Sequence, residues 1–277
     1  MTLSRDIADY PEGIVLPIDK PWRWSSADLV RKIKRAACRH FGKKNLKVGH
    51  AGTLDPLATG ILMVCIGAAT KRAEELQASP KQYIAGVCFG ATTPSYDLEK
   101  DIDRSFSSDG VSRESIEAAL PSFTGRQQQV APLFSAKSVD GVRAYETARR
   151  LLREACSRGE SFAHEDILKS SEIEIYGLRL LTFEENFSGA PEPVEPGEGN
   201  GRIRVADIRG ARLKHADILV DCSKGTYIRA LARDIGEALG SGAFLSSLRR
   251  TRNGGFDISE ALSVDDALAL FRADSAE

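Results

Sequence analysis

Apolar and polar positions along the chain predict short strands broken by amphipathic helices. GIVLPIDK (13–20) reads as a strand running into a turn at Lys20-Pro21. Ser25 and Ser26 are N-cap candidates for a helix over Ala27 to Cys38, with Leu29, Val30 and Ile33 on one face. ILMVCI (61–66) is an unbroken apolar run of strand length, the mark of a strand buried on both faces. KQYIAGVCFG (81–90) alternates, with Tyr83, Ala85, Val87 and Phe89 on one side. Residues 91–110 read as a polar loop, and SRESIEAAL (112–120) as a capped helix closed by Pro121. AYETARRLLREA (144–155) reads as a helix, SEIEIYGLRLL (171–181) and HADILVDC (215–222) as strands, and Tyr227 to Leu239 as a helix. SVDDALALF (263–271) ends the pattern as a helix capped by Ser263. Strands and helices do not alternate strictly, so the pattern favours an α+β fold over a doubly wound sheet.

Between two of these strands, FEENFSGAPEPVEPGEGNG (183–201) is rich in Pro, Gly and Glu and has no Lys or Arg. It cannot bury enough apolar surface to order itself, and is expected to be a mobile acidic insertion, not a domain linker. The 277 residues are then expected to form one domain with a core over about 13–271.

Composition adds limits. The chain is 42% hydrophobic and 28% charged, ordinary values for a globular protein, and its net charge of -1 gives no whole-chain field for nucleic acid. The local distribution differs. Arg31, Lys32, Lys34, Arg35 and Arg39 share the polar face of the first helix, and Lys43, Lys44 and Lys47 follow with no acid among them. A solvated helix face is the ordinary reading of such a run; eight cations without a counter-charge point to a phosphate-facing surface. Cys38, Cys65, Cys88, Cys156 and Cys222 are scattered and odd in number, so neither a disulfide framework nor a zinc site is expected. The first residues, MTLSRDIADYPEG, have no apolar core of a signal peptide, and no stretch is long and apolar enough to span a bilayer. A cytoplasmic location, without membrane contact, is the expectation.

Chemistry concentrates in VGHAGTLDPLATG (48–60). Asp55 before Pro56 makes a good N-cap for a one-turn helix that Gly60 stops, a purely structural reading. Gly49, Gly52 and Gly60 instead suit a backbone that approaches a ligand, and a carboxylate on such a turn is a candidate nucleophile or base. In CSKGTYIRALARDIG (222–236), Arg229 is either a surface residue of an amphipathic helix or a two-pronged partner for a carboxylate.

Taken together, GHAGTLDPLATGILMVCIGAATK (49–71), KQY (81–83) and CSKGTYIRALARDIG resemble the TruB family of tRNA pseudouridine synthases. DKP with Ser25-Ser26 is similar to its N-terminal motif, as is SFTGRQQQVAPLFSA (122–136) with Gly141, Arg143 and Tyr145-Glu146. LSSLRRTRNGGF (245–256) resembles its last catalytic segment. The resemblance implies a pseudouridine synthase fold, with a mixed, mainly antiparallel central sheet flanked by helices and loops and a catalytic cleft across it. It implies that Asp55 is the essential aspartate, that Tyr83 stacks on the target base, and that Arg229 pairs with Asp55. It places Leu248 beside the uracil, Tyr227 and Lys71 at further active-site positions, and His50 in the RNA loop near a flipped nucleotide. The implied partner is tRNA, at uridine-55 of its TΨC stem-loop, with no cofactor, metal or obligatory protein partner. Whether the aspartate attacks the ribose C1′ or takes a ribose proton stays open.

Three departures stand out. Arg23, between Trp22 and Trp24, occupies a usual glycine position, which puts the turn there in question and leaves the Trp pair as core or as a stacking surface. Ser138 takes a usual lysine position, with Lys137 one earlier, so neither is given a role. After Phe256 about one helix remains, too little for the C-terminal RNA-binding domain of the PUA type. Two other functions compete: a non-catalytic RNA binder on the same scaffold, and a hydrolase using Asp55. A phosphatase of the haloacid-dehalogenase type would want D-x-D and a metal, and TLDP lacks the second Asp.

Overall fold

The structure is a computed structural model that describes residues 3–132, 138–139, 142–143, 170–188 and 203–272. The helix expected over 144–155, residues 189–201 of the acidic insertion, and Lys137, Gly141, Tyr145 and Glu146 lie outside the described residues. In chain order the main elements are β1 (Ile14–Lys20), α1 (Ser26–His40), β2 (Val48–Ala51), β3 (Ala58–Ile66), α2 (Ala73–Ala78) and β4 (Lys81–Phe89). They continue with α3 (Arg113–Ala119), β5 (Gly125–Val130), β6 (Ser170–Phe187), β7 (Leu213–Cys222), α4 (Ile228–Ala238), β8 (Ala243–Asn253), β9 (Phe256–Asp257) and α5 (Val264–Ala269). The class is α+β: β3 pairs antiparallel with β1 and β2, β6 with β5 and β7, and β8 with β9, while β8 runs parallel to β3. The chain divides into two compact units. One holds Met1–Tyr83, Glu195–Ile203 and Leu248–Glu277, the other Ile84–Val194 and Arg204–Ser247, so β4 and β8 give residues to both.

In the first unit β3 is central. On one edge it pairs with β1 from Ile14↔Ile66 to Lys20↔Gly60. Its other edge is shared: β8 runs parallel from Leu248↔Ala58 to Arg250↔Gly60, and β2 runs antiparallel from Ala51↔Met63 to Val48↔Ile66. Covered on both edges, residues 60–66 are all buried, as the apolar run predicts. Between the two partners the edge is left to side chains, and the Arg250 Nε donates to the Ile61 carbonyl at 2.7 Å. Helix α1 starts at Ser25, whose hydroxyl caps Asp28 while the Asp28 carboxylate returns to the Ser25 backbone. Leu29, Ile33, Ala37 and His40 form its buried stripe, and every cation from Arg31 to Lys47 lies at least partly exposed.

In the second unit the strand order is β8-β4-β7-β6-β5, counting the parts of β8 and β4 that belong there. Strand β6 continues to Phe187, past the expected end at 181 and into the start of the acidic segment. Pairing explains it: Thr182, Phe183 and Glu184 stay opposite Asp217, Ala216 and His215, and the Phe187 ring stacks on His215 at 4.2 Å. Residues 91–110 also depart from a plain polar loop. Thr93, Ser95, Tyr96, Asp97 and Leu98 are buried, and 91–92 pair with 104–105. Helix α3 is capped by Ser112 as expected, but Pro121 does not close it; the chain continues as a 3-10 turn over Leu120–Phe123, whose first turn tolerates proline.

Candidate active site

The Asp55 segment is a turn, not the start of a helix. The Asp55 carbonyl accepts from the Ala58 N–H at 3.1 Å, and β3 begins at once, so the N-cap reading falls. Proline at the second position of such a turn fixes its backbone. Three groups clamp the loop at alternate residues. Arg250 Nη2 donates to the Gly52 carbonyl at 3.1 Å. The Ser26 hydroxyl donates to the Leu54 carbonyl and accepts from the Leu54 N–H, both at 3.0 Å. Lys20 Nζ donates to the Pro56 carbonyl at 3.3 Å, and to the Pro21 and Trp24 carbonyls at 2.9 and 2.6 Å. Leu54 and Leu57 are buried, whereas Asp55 is half-buried, so the clamp presents one carboxylate from an otherwise anchored turn.

Lys20 and Arg250 have almost no exposed surface. Burial pushes the Lys20 ammonium down to about 7, with the Asp55 carboxylate opposing that shift and the Arg250 guanidinium adding to it. Burial, and then Arg250, also push the His50 imidazole below its ordinary range. His50 sits half-buried on β2 opposite Val64. Leu248, half-buried, opens the parallel pairing of β8 with Ala58, two residues past Pro56. Tyr83 is buried on β4 beside Gln82, whose amide oxygen accepts from the Thr251 hydroxyl of β8 at 3.0 Å.

Lys71 lies past the other end of β3. It shares a basic concavity of about 460 Å³ with Lys43, Lys44 and Lys47. The length of β3 puts roughly 25 Å between Ala58 and Ile66. Of the other cations, Arg31 has a counter-charge after all, the Asp28 carboxylate at 2.9 Å. Lys32 lies over the Trp24 ring, 4.9 Å from its centroid. Lys34 and Arg35 are exposed.

Arg229 and Tyr227 belong to the second unit. Arg229 is only 4% exposed, so the reading of a surface arginine on an amphipathic helix does not hold. Its Nη1 donates to the Ser95 carbonyl at 3.0 Å, and its Nε stands 3.6 Å from Asp97, itself buried. Such a pair needs both members, because either charge left alone in the interior is costly. Tyr227 is the residue before α4, and Gln129 grips its backbone from both sides: its amide oxygen accepts from the Tyr227 N–H at 2.8 Å and its amide nitrogen donates to the Tyr227 carbonyl at 3.1 Å.

Lys20, Arg250, Asp97 and Gln129 were not singled out from sequence. The signal for the first two lay in DKP and LRRTRN, motifs whose charges are spaced like ordinary surface residues. Among the described residues no group of three or more His, Cys, Asp or Glu side chains could hold a metal ion. No helix there is long and apolar enough to cross a membrane.

The chain belongs to the TruB family of pseudouridylate synthases: the N-terminal domain of that family matches residues 39–228, and the tRNA pseudouridylate synthase B C-terminal domain matches 229–277. Relatives agree along nearly the whole length. The tRNA pseudouridine synthase B of Phocaeicola vulgatus is 44% identical over 257 residues, covering 93% of this chain and 92% of that protein. That of Bacteroides thetaiotaomicron is 46% identical with the same coverage. That of Mycobacterium leprae is 38% identical, covering 98% of this chain and 73% of that protein. Among solved structures, a chain of the archaeal box H/ACA sRNP Nop10-Cbf5 complex matches with a TM-score of 0.57 at 22% identity, over 97% of this chain. A Cbf5-Nop10-Gar1 complex gives 0.59 at 24% over 95%. This chain spans 57% and 56% of those two chains, and at such identity the likeness speaks for the fold alone.

Proposed function

We propose that this chain is a tRNA pseudouridine synthase that isomerises uridine-55 in the TΨC loop, working without a protein partner. The observation that carries the reading is the clamped turn, held at Gly52, Leu54 and Pro56 with the Asp55 carboxylate presented between the anchors. Isomerisation breaks the C–N glycosidic bond, turns the uracil, and rejoins it through C5. Nothing is oxidised or reduced and no group is donated, so one carboxylate serves as nucleophile or base. A glycoside hydrolase uses two carboxylates across the bond to bring in water. Here water has to be kept away from the detached base, and a rigid anchored loop suits that need.

The target base must leave its stack, at a cost of a few kcal/mol. Stacking on Tyr83 returns roughly 1–3 kcal/mol, and His50 fills the vacated place. Arg229 steers the Asp55 carboxylate, and Leu248 and Tyr227 bound the uracil pocket. Exposed cations from Arg31 to Lys47, with Lys71, hold phosphates. The test is a carbodiimide-based pseudouridine assay on transcribed tRNA, run with the wild type and Asp55→Asn. The wild type is expected to modify one uridine, in the TΨC loop. The Asn variant is expected to modify none while binding tRNA within about twofold, since a neutral isostere removes the reacting group and leaves the phosphate contacts. Normal turnover by Asp55→Asn would falsify the assignment.

A further inference from the structure

A second feature of the first unit lies beside this turn without belonging to it. Helix α1 and α5 border a groove of about 420 Å³. Its walls are of two kinds. Trp24, Ala36 and Leu268 give apolar surface, and Lys32, Arg35 and Arg39 stand along α1 with exposed charges. Asp28 and Arg31 also line it but satisfy one another at 2.9 Å. Among the described residues no ion pair reaches Lys32, Arg35 or Arg39. Arg35 and Arg39 are four residues apart, so they project from the same face one turn apart, about 6 Å along the axis. That separation is comparable with the spacing of successive phosphates on an RNA strand. The groove's tryptophan is tied to the Asp55 turn, because Lys20 binds the Trp24 and Pro56 carbonyls with the same ammonium. From there α1 leads away for roughly 20 Å.

We propose that this groove is an RNA track next to the target site, taking one nucleotide of the bound tRNA against the Trp24 indole and the phosphates beyond it on Lys32, Arg35 and Arg39. The proposal rests on the tRNA reading above and adds to it a specific contact surface. An anionic strand with apolar bases fits both kinds of wall. Lys32 links them, since its ammonium lies 4.9 Å from the Trp24 ring centroid and brings any phosphate it holds next to the indole. A plain solvated helix face would have the cations without the aromatic wall.

The chain has two tryptophans, Trp22 and Trp24, so intrinsic fluorescence reports on this place directly. Transcribed tRNA is titrated into wild type, Trp22→Phe, Trp24→Phe and Arg35→Gln/Arg39→Gln, with anisotropy of labelled tRNA followed in parallel. Quenching is expected in the wild type and in Trp22→Phe, and its loss in Trp24→Phe. The double Gln variant should bind about tenfold more weakly at low salt, with the slope of log affinity against log salt reduced by about two. Quenching that survives in Trp24→Phe overturns the proposal, as does an unchanged salt slope in the double variant. Binding by anisotropy without quenching overturns it too, and leaves the groove to an acidic protein segment. The two readings separate cleanly. Quenching without pseudouridine formation removes the enzymatic reading and keeps the track; pseudouridine formation without quenching does the reverse.

Discussion

Arg23 holds its backbone at φ 58°, in the left-handed region that costs an L-residue roughly 1–2 kcal/mol. The backbone here is one that favours glycine, and the arginine strains to make it. Its side chain offsets part of the cost: Nη2 donates to the Ile203 carbonyl at 3.0 Å, and the guanidinium carbon lies 5.8 Å from the Trp22 ring centroid. Replacing Arg23 by Ala loses these contacts and keeps the strain, whereas Gly loses the contacts and the strain together. Thermal unfolding should find Arg23→Gly more stable than Arg23→Ala by about 1 kcal/mol; the opposite order would mean the backbone there is unstrained. Lys20 supplies a second residue-scale expectation. Its folded value is about 7, against 10.5 for a freely solvated lysine. Below about pH 7 both states carry the proton and the burial cost is constant. Between about 7 and 10.5 the unfolded chain holds more protons, so the contribution of this group to stability rises with pH. Lys20→Met removes that rise and leaves three carbonyls short of a donor, each worth about 1–3 kcal/mol if buried. Urea unfolding at pH 7 and pH 9.5 should therefore show the variant weaker at both, with the gap wider at the higher pH. A constant gap would place the lysine's titration elsewhere.

At the scale of elements, the shared edge of β3 explains why Gly60 and Arg250 occur together. Gly60 adopts φ 99°, and a Cβ there would overlap the carbonyl and amide of Arg250 on β8. Gly60→Ala is expected to cost about 3 kcal/mol or more by urea unfolding, because strain and strand separation add. Gly49→Ala, with open space around it, should stay within about 0.5 kcal/mol. The apolar pattern made β1, β3, β4 and β7 legible, since most of the buried side chains in each are apolar, Lys20, Lys81 and His215 being the exceptions. It did not reveal β8. Arg249 and Arg250 break the alternation, and Arg250 is nevertheless 1% exposed, its charge spent on carbonyls that only the folded sheet brings to it. Residues 93–98 failed for the same reason: their polar groups bond one another, as when the Thr93 hydroxyl donates to the Asp97 carbonyl at 2.7 Å, and composition reports polarity, not pairing. The N-cap reading of Asp55 lost to a turn because β3 claims the chain from Ala58 onward.

For the whole molecule, a net charge of -1 conceals how the charges are arranged. The candidate carboxylate was legible because its glycines and proline carry backbone information that survives without coordinates. The groups that hold it were not, because clamping Gly52, Leu54 and Pro56 takes Lys20 and Ser26 from one remote segment and Arg250 from another. Lys71 shows how position changes a residue's expected effect. Resemblance puts it at an active-site position, yet it shares a concavity with Lys43, Lys44 and Lys47 beyond the far end of β3 from the Asp55 turn. A lysine so placed acts on phosphates through charge, and that action is felt equally by bound substrate and transition state. Uniform binding of this kind lowers KM without changing the chemical step. Lys71→Gln should therefore raise the tRNA concentration needed for half-maximal rate several-fold and reduce the salt slope by about one, while the single-turnover rate at saturating tRNA stays within about twofold. Removing Lys43, Lys44 and Lys47 together should reduce the slope by about three in the same way. A fall in the saturated rate with Lys71→Gln would instead bring its ammonium to the reacting nucleotide, which the geometry of β3 allows only if the Gly67–Arg72 turn moves when RNA binds.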